Sequence, residues 1–526
     1  MDKFRSFLFH TMGEKSYICT HEKTNNDIDN KTKPMKTKIF ALAALLCAWA
    51  AQAAAAEKVD RPRLVVGVVV DQMRWDYLYR YYDQFAEGGL KRLLKEGYNF
   101  DNMHYNYLPT VTAAGHASIY TGTTPAIHGI AGNNYHLNGR PIYCVEDTTV
   151  AGVGTTSKAG KMSPRNLMVT NMCDQLRLAT DFRSKVIGVA LKDRASILPA
   201  GHSANAAYWF DRSTGTFITS TYYMDELPAW VRSFNKDNKT NPKEDIWILP
   251  KGLSLTTKMA IAALDGEKLG RQADQTDMLC ISYSSTDVMG HKYGTRGPKT
   301  DEMYLALDKE LRKLFDVLDS RIGRDKYLLF ITADHAGGHN AKFLNDHKLP
   351  GGQLGYWGKL KKELSRTLAA RFAGVDVIDD VNGEQVYLNL AAIKQRGLNL
   401  DEVEQAVCDE IQKYEGVQYV VPVRHLMTTT IPYPIRDRIL MGNCPRRSGE
   451  IQIVPRPAYY DYSYDEGTSH SHWAPYDTHV PFILMGWHID DGHTNRLVNI
   501  TDIAPTICAL LKIQMPSGCV GTPLLD

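Results

Sequence analysis

One stretch limits the fold more than any other. Tyr327–Asn340 reads YLLFITADHAGGHN. Six mostly apolar residues, Tyr327 to Thr332, have the pattern of a strand covered on both faces. They run into adjacent Asp334 and His335, then Gly337 and Gly338. Such a chain places a carboxylate and an imidazole at a strand's carboxyl end, on a loop that can approach a ligand closely. In open parallel α/β sheets that edge is where ligands bind.

Similar runs recur along the chain. Arg63–Val70 is apolar and β-branched, and ends at Asp71. Val186–Ala190 precedes Lys192 and Arg194, and Met278–Tyr283 leads into Asp287 and His291. Helical spacing is expected from Tyr77 to Leu93 and over Thr300–Asp319, where Tyr304, Leu307, Leu311, Leu314 and Leu318 recur. Thr110–Gly122 predicts a helix with Thr112 at its N-terminus. Alternating strands and helices predict an α/β protein: a doubly wound, mostly parallel sheet flanked by helices. Between residues 352 and 440 the texture changes to short helices and strands, a smaller α+β insertion. The main sheet is expected to resume at Val480–Met485. Thr501 is the expected cap of a last helix, Thr501–Leu511.

The net charge of +2 argues against a dedicated nucleic-acid binder. Met35-Lys36-Thr37-Lys38, the apolar run Ile39–Ala51 and the small residues Ala53–Ala56 form a secretory signal pattern. Residues 1–34 read as a disordered leader or an upstream mis-called start, residues 35–56 as a cleaved signal peptide, and 57–526 as the catalytic chain. Export to the periplasm or beyond follows, with no stable membrane insertion after cleavage, and a monomer is expected. No cysteine pair has C-x-x-C spacing, so neither a bridge nor a thiolate metal site is assigned.

Four strand ends or adjoining loops therefore carry candidate ligands: Asp71; Asp287 with His291; Asp334 with His335; and His470 or His472. Oxygen and imidazole donors suit zinc or a similar divalent ion. Two ions about 3.5–4 Å apart can hold the attacking and leaving oxygens of a displacement at phosphorus. Thr112 is the candidate nucleophile, at a helix N-terminus that favours an anion. Asn133, Lys192 and Arg194 are candidate donors to the transferred group. Taken singly, each has a plainer role: an Asp at a strand end is often structural, Thr112 reads as a helix cap, and Lys192 and Arg194 read as a solvated loop. Their co-occurrence in this order carries the argument.

The sequence resembles the alkaline phosphatase superfamily, and within it the threonine-nucleophile, phosphate-irrepressible (PafA-type) bacterial enzymes. The resemblance rests on VVVDQMRWDY around Asp71, TVTAAGHASIYTGTTPAIHGIAGNN from Thr110, KDR at 192–194, STDVMGHKYG from Ser285, TADHAGG from Thr332 and GTSHSHWAPYDTHVP from Gly467. It implies two zinc ions, one held by Asp287, His291 and His470, the other by Asp71, Asp334 and His335 with Thr112 bridging toward it. It implies that Asn133, Lys192 and Arg194 clasp the phosphoryl oxygens and that a phosphothreonine forms during hydrolysis of small phosphate monoesters. The family pattern favours His470 over His472 by its distance from Asp477, and Asn133 over Asn134 by its distance from Thr112. It reads His-Gly where this chain has His470-Ser471, so a local change in that loop is expected. The phosphodiesterase/nucleotide pyrophosphatase branch shares the threonine but lacks the Lys192–Arg194 pair, and is the alternative. A non-catalytic, metal-stabilised binding protein is the third reading. Sulfatases need C/S-x-P-x-R, which Thr112-Ala-Ala-Gly-His lacks.

Overall fold

A computed structural model of the chain describes residues 59–137, 139–355, 358–461 and 465–524. The leader and signal segments read from the sequence lie outside them.

The main-sheet strands are β1 (Leu64–Val70), β2 (Tyr98–Phe100), β3 (Gly152–Val153), β4 (Val186–Ala190), β5 (Ala206–Asp211), β6 (Thr216–Ser220), β7 (Asp277–Tyr283) and β8 (Tyr327–Thr332). A separate four-stranded sheet takes β9 (Ile378–Asn382), β10 (Gln385–Leu388), β11 (Val417–Pro422) and β12 (Ile451–Pro455). The main sheet closes with β13 (Phe482–Gly486) and β14 (Gly492–Thr494). Its order is β14-β2-β13-β8-β1-β7-β4-β5-β6-β3.

The centre is parallel: β1 pairs with β7 and β8, β7 with β4, and β4 with β5. β1, β7 and β8 are buried along their whole length, as strands covered by helices on both faces must be. This is the doubly wound sheet expected from the sequence. Antiparallel pairing appears only toward the edges, at β8–β13, β13–β2, β5–β6 and β6–β3. The registers put the last residues of β1, β7 and β8 side by side, Val69 opposite Ser282 and Thr332. Whatever follows them is thereby delivered to one edge.

Four helices matter here: α1 (Thr112–Thr121), α2 (Asp193–Ala200), α3 (Ser285–Tyr293) and α4 (Pro298–Arg321). α4 runs across the expected 300–319 stretch and buries its Leu307, Leu311, Leu314 and Leu318 face. The stretch after Asp71 is not one helix but two short ones, Tyr77–Arg80 and Leu90–Glu96, interrupted by Gly88 and Gly89. The last helix, Ile503–Leu510, follows a turn capped by Asn499 rather than Thr501; Asn499 and Asp502 form a reciprocal capping box. The small sheet is antiparallel throughout and covers its own apolar cluster, including Leu364, Val386, Val407 and Ile453. The 352–440 segment contributes three of its strands, and β12 comes from beyond it.

Candidate active site

The carboxyl edge of the parallel strands gathers the candidate residues. Asp71 follows β1, and its N–H donates to Tyr283 O at 3.1 Å. Gln72 turns the chain away with φ +62°. Its own N–H donates to Asp334 Oδ1 at 3.1 Å, and its Nε2 to Asp287 Oδ1 at 2.8 Å. One residue therefore ties the loops after β1, β7 and β8 together. On α3, Asp287 and His291 stand one turn apart, with His291 Nε2 3.1 Å from Asp287 Oδ1, as i, i+4 residues on one helical face should.

Thr112 is the first residue of α1, following extended Val111, and is buried. A Cβ on Gly115 would overlap the Asp334 carbonyl, so this first turn lies directly on the loop that carries Asp334 and His335. Asn133 Oδ1 accepts from Ala113 N–H at 3.0 Å, which fixes Asn133 beside the nucleophile candidate.

Three imidazoles share one arrangement. His335 Nδ1 donates to Ala336 O at 2.9 Å, His470 Nδ1 to Thr110 O at 2.7 Å and His291 Nδ1 to Thr468 O at 3.0 Å. In His335 and His470 this leaves Nε2 as the lone-pair nitrogen, the orientation that backbone carbonyls impose on metal-binding histidines, whereas His291 Nε2 faces Asp287 Oδ1 at 3.1 Å. The His335 and His470 rings stack with centroids 3.6 Å apart. His472 does not join them: its Nε2 donates to Arg456 O at 3.0 Å, and its Nδ1 accepts from Ala474 N–H at 3.1 Å.

The ligand atoms of Asp71, Asp334 and His335 lie within 4.8 Å of one another, and so do those of Asp287, His335 and His470. His335 faces both groups. His291 approaches the second through Asp287, where the resemblance makes it a direct ligand. Asp71 Oδ1, Asp334 Oδ2 and His335 Nε2 are buried and have no hydrogen-bond partner among the described residues, a costly arrangement for polar atoms unless something coordinates them. Burial and the neighbouring Asp334 push the Asp71 carboxyl well above the usual carboxylate range. Burial also opposes ionisation of Asp334, but His335 and His116 beside it hold its carboxyl low. Burial, with His335 and His291 near, holds His470 neutral. Three buried carboxyl groups crowded together, with Asp71 forced toward its neutral form, call for positive charge between them. The donor set, oxygen and nitrogen without thiolate, fits divalent cations such as zinc.

The one cation among these groups is Lys192. Its Nζ lies 2.6 Å from both Asp71 Oδ2 and Asp287 Oδ2, and 3.4 Å from Thr112 Oγ1. The resemblance gives Lys192 to the phosphoryl oxygens; here the two carboxylates are the strongest negative charges in reach. Arg194 Nη1 donates to the Tyr143 hydroxyl at 2.9 Å, and that hydroxyl donates to Asp193 Oδ1 at 2.5 Å.

Gln72, His116 and Tyr143 had no role in the sequence reading. His116 stands four residues after Thr112; its Nδ1 donates to Thr112 O at 2.9 Å and lies 3.3 Å from Asp334 Oδ2. That i, i+4 spacing was the available signal. Tyr143, on a hairpin distant in sequence, offered none. Ser471 holds φ +83°, so the loop keeps the left-handed backbone that glycine would adopt freely.

A cavity of about 350 Å³ opens over Asn133, His291 and His470. It is lined as well by the β9–β10 turn, Gln452 of β12, Asp461, and Ser469 and Ser471 on either side of His470.

Comparison with known proteins agrees with this geometry. The type I phosphodiesterase / nucleotide pyrophosphatase family model matches residues 65–480. Alkaline phosphatase PafA of Elizabethkingia meningoseptica is 43% identical, over 89% of this chain and 95% of that enzyme. Its crystal structure superposes with a TM-score of 0.85, over 89% of this chain and 99% of that one. Alkaline phosphatase PhoV of Synechococcus elongatus is 42% identical, over 89% of this chain and 94% of that enzyme. A Myroides odoratus protein named calcium-transporting ATPase is 41% identical, over 94% of this chain and 99% of that one. Among the described residues, no helix is long and apolar enough to cross a membrane. The chain belongs to the alkaline phosphatase superfamily, in the PafA-like group of metal-dependent phosphoric monoester hydrolases.

Proposed function

We propose that this chain is an exported phosphate-monoester hydrolase that works with two zinc ions and a covalent phosphothreonine at Thr112. The observation that carries the reading is the convergence of Asp71 Oδ1, Asp334 Oδ2 and His335 Nε2, buried and without hydrogen-bond partners among the described residues, on the loop against which the first turn of α1 packs. Zinc ions bound there would polarise phosphoryl oxygens and make a coordinated hydroxyl more acidic.

The chain's own residues supply the rest. Thr112 Oγ1 gives up its proton and attacks phosphorus; its bond to phosphorus forms as the bond to the departing oxygen breaks, and that oxygen takes up a proton to leave as the alcohol. Water then attacks the phosphothreonine, the Thr112 Oγ1–phosphorus bond breaks, and phosphate leaves. The α1 N-terminus, Asn133 and Arg194 neutralise the nonbridging oxygens, where phosphoryl transfer needs it. With the carboxylates engaged by cations, Lys192 Nζ is free to turn from them to the transferred group beside Thr112. The Lys192–Arg194 pair favours a dianionic monoester, whose oxygens a diester would block.

Thr112→Ala should lose at least about 10³-fold in turnover while keeping its ions. Wild-type rates in that variant would remove Thr112 from the chemistry. The diesterase alternative draws on the family model's own description. Replacing Lys192 and Arg194 together by Ala should cost monoesters on the order of 10²-fold more than diesters; equal losses would favour the diesterase.

A further inference from the structure

The cavity over the site has two walls of different chemistry. One is the catalytic wall, with Asn133, His291 and His470. Beside it lie the small-sheet residues Asn382–Gln385 and Gln452, Asp461, and the serines that flank His470, and among the described residues no lysine or arginine lines the cavity. An anionic leaving group would meet no counter-charge there.

The second wall is held firmly in place. Asn382 Nδ2 donates to Asn134 O at 2.7 Å, pinning the β9–β10 turn beside the loop that carries Asn133. Gln452 Nε2 donates to Glu384 O at 3.1 Å and Ile453 O at 2.8 Å. Gln385 Oε1 accepts from Gly449 N–H at 3.1 Å. These amides are engaged in building the wall.

Two groups on it are not so engaged. The Glu384 carboxyl has no side-chain hydrogen-bond partner among the described residues. Burial, opposed by its own backbone N–H and reinforced by Asp461, pushes it up to about 8. At neutral pH it is a neutral acid that can both donate and accept. The second group is the Ser471 hydroxyl. Ser471 keeps φ +83°, where a serine is strained and a glycine is not. A strained side chain at a cavity wall points to a use for that side chain.

Resting on the phosphatase reading, we propose that this wall is a leaving-group subsite for uncharged, hydroxyl-bearing alcohols, recognised by Glu384 and Ser471. It would favour monoesters whose departing alcohol carries further hydroxyls over those whose alcohol has none. A site built to pair a hydroxyl discriminates against the analogue that lacks it, because its own polar groups are then left unpaired.

The test uses the zinc-loaded enzyme and two esters, glucose 6-phosphate and phenyl phosphate. The readout is the ratio of their kcat/KM values. Glu384→Leu and Ser471→Gly should each lower that ratio about five- to tenfold, one hydrogen bond's worth. Glu384→Gln, which keeps a neutral donor and acceptor, should retain most of it. Ser471→Gly should also raise Tm as the strain is released. Unchanged ratios in both variants, or a Gln variant as poor as the Leu variant, would overturn the subsite. If the wild type turns over neither ester, the phosphatase reading fails, and calorimetry decides the subsite alone. Glucose 6-phosphate must then bind more tightly than phenyl phosphate, and Glu384→Leu must erase the difference; equal binding overturns the proposal.

Discussion

The two halves of the candidate metal cluster use the same kinds of donor in different surroundings. Asp71, Asp334 and His335 are sealed, with side chains 0% exposed. His291, in the other half, exposes 36% of its side chain and borders the cavity with His470. The inner half is set by the ends of neighbouring parallel strands and by the backbone contact at Gly115. The outer half hangs on one turn of α3 and the loop around His470. Burial makes the inner donors dependent on one another, whereas in the outer half His291 stands open to solvent beside buried Asp287 and His470. The same sheet edge thus provides a fixed centre beside Thr112 and a more open one facing the cavity.

The sharpest way to break this comparison is to remove one ligand from each half. Asp334→Asn should cost on the order of 10³-fold in kcat/KM and resist rescue by added zinc, since it leaves His116 and His335 without their buried carboxylate. His291→Ala should cost about 10- to 100-fold, and excess zinc should recover much of it. Equal losses with equal rescue would show that the two halves do not differ.

Tyr143→Phe sharpens the comparison from the side of the transferred group. Tyr143 touches no candidate ligand; it links Arg194 to Asp193. Removing its hydroxyl should lower kcat/KM for monoesters about five- to tenfold and leave ion content at two. Loss of zinc in this variant would mean that Arg194's support and the metal cluster are one unit.

The smallest effect lies at the rim. Glu384 is held neutral in the fold up to about pH 8, against 4.5 for an ordinary glutamate. Between those values it is ionised in the unfolded chain and protonated in the folded one. Its contribution is therefore intact below about pH 4.5 and is lost as pH rises toward 8. A Tm-versus-pH series should fall less steeply for Glu384→Gln than for wild type across that window. Parallel curves would mean that the Glu384 carboxyl titrates alike in the folded and unfolded chain.

Much of this was legible because parallel strands write themselves plainly. β1, β7 and β8 are unbroken apolar runs that stop at Asp71, Ser284 and Ala333, so the sheet edge and its ligands could be read together. Asp287 and His291 declared a shared face by their spacing. What stayed hidden depends on contacts between distant segments. Gln72 works because it leaves the strand in a left-handed turn, which no local pattern marks. Tyr143 reaches Arg194 from a hairpin fifty-one residues away. Lys192 and Arg194 read as a pair, yet the fold points one at carboxylates and the other at a phenol. β12, beyond residue 440, joins the small sheet through pairing that sequence order does not foretell. The cap at Asn499 was missed because Thr501-Asp502 imitates the same motif two residues later.

The central claim is that two divalent ions sit side by side beside Thr112. Anomalous diffraction at the zinc edge, on crystals of the purified protein, tests it most directly. The account predicts two peaks about 3.5–4 Å apart, one among Asp71, Asp334 and His335 and the other among Asp287, His291 and His470, both near Thr112 Oγ1. No peak, or zinc bound only elsewhere on the molecule, would contradict it.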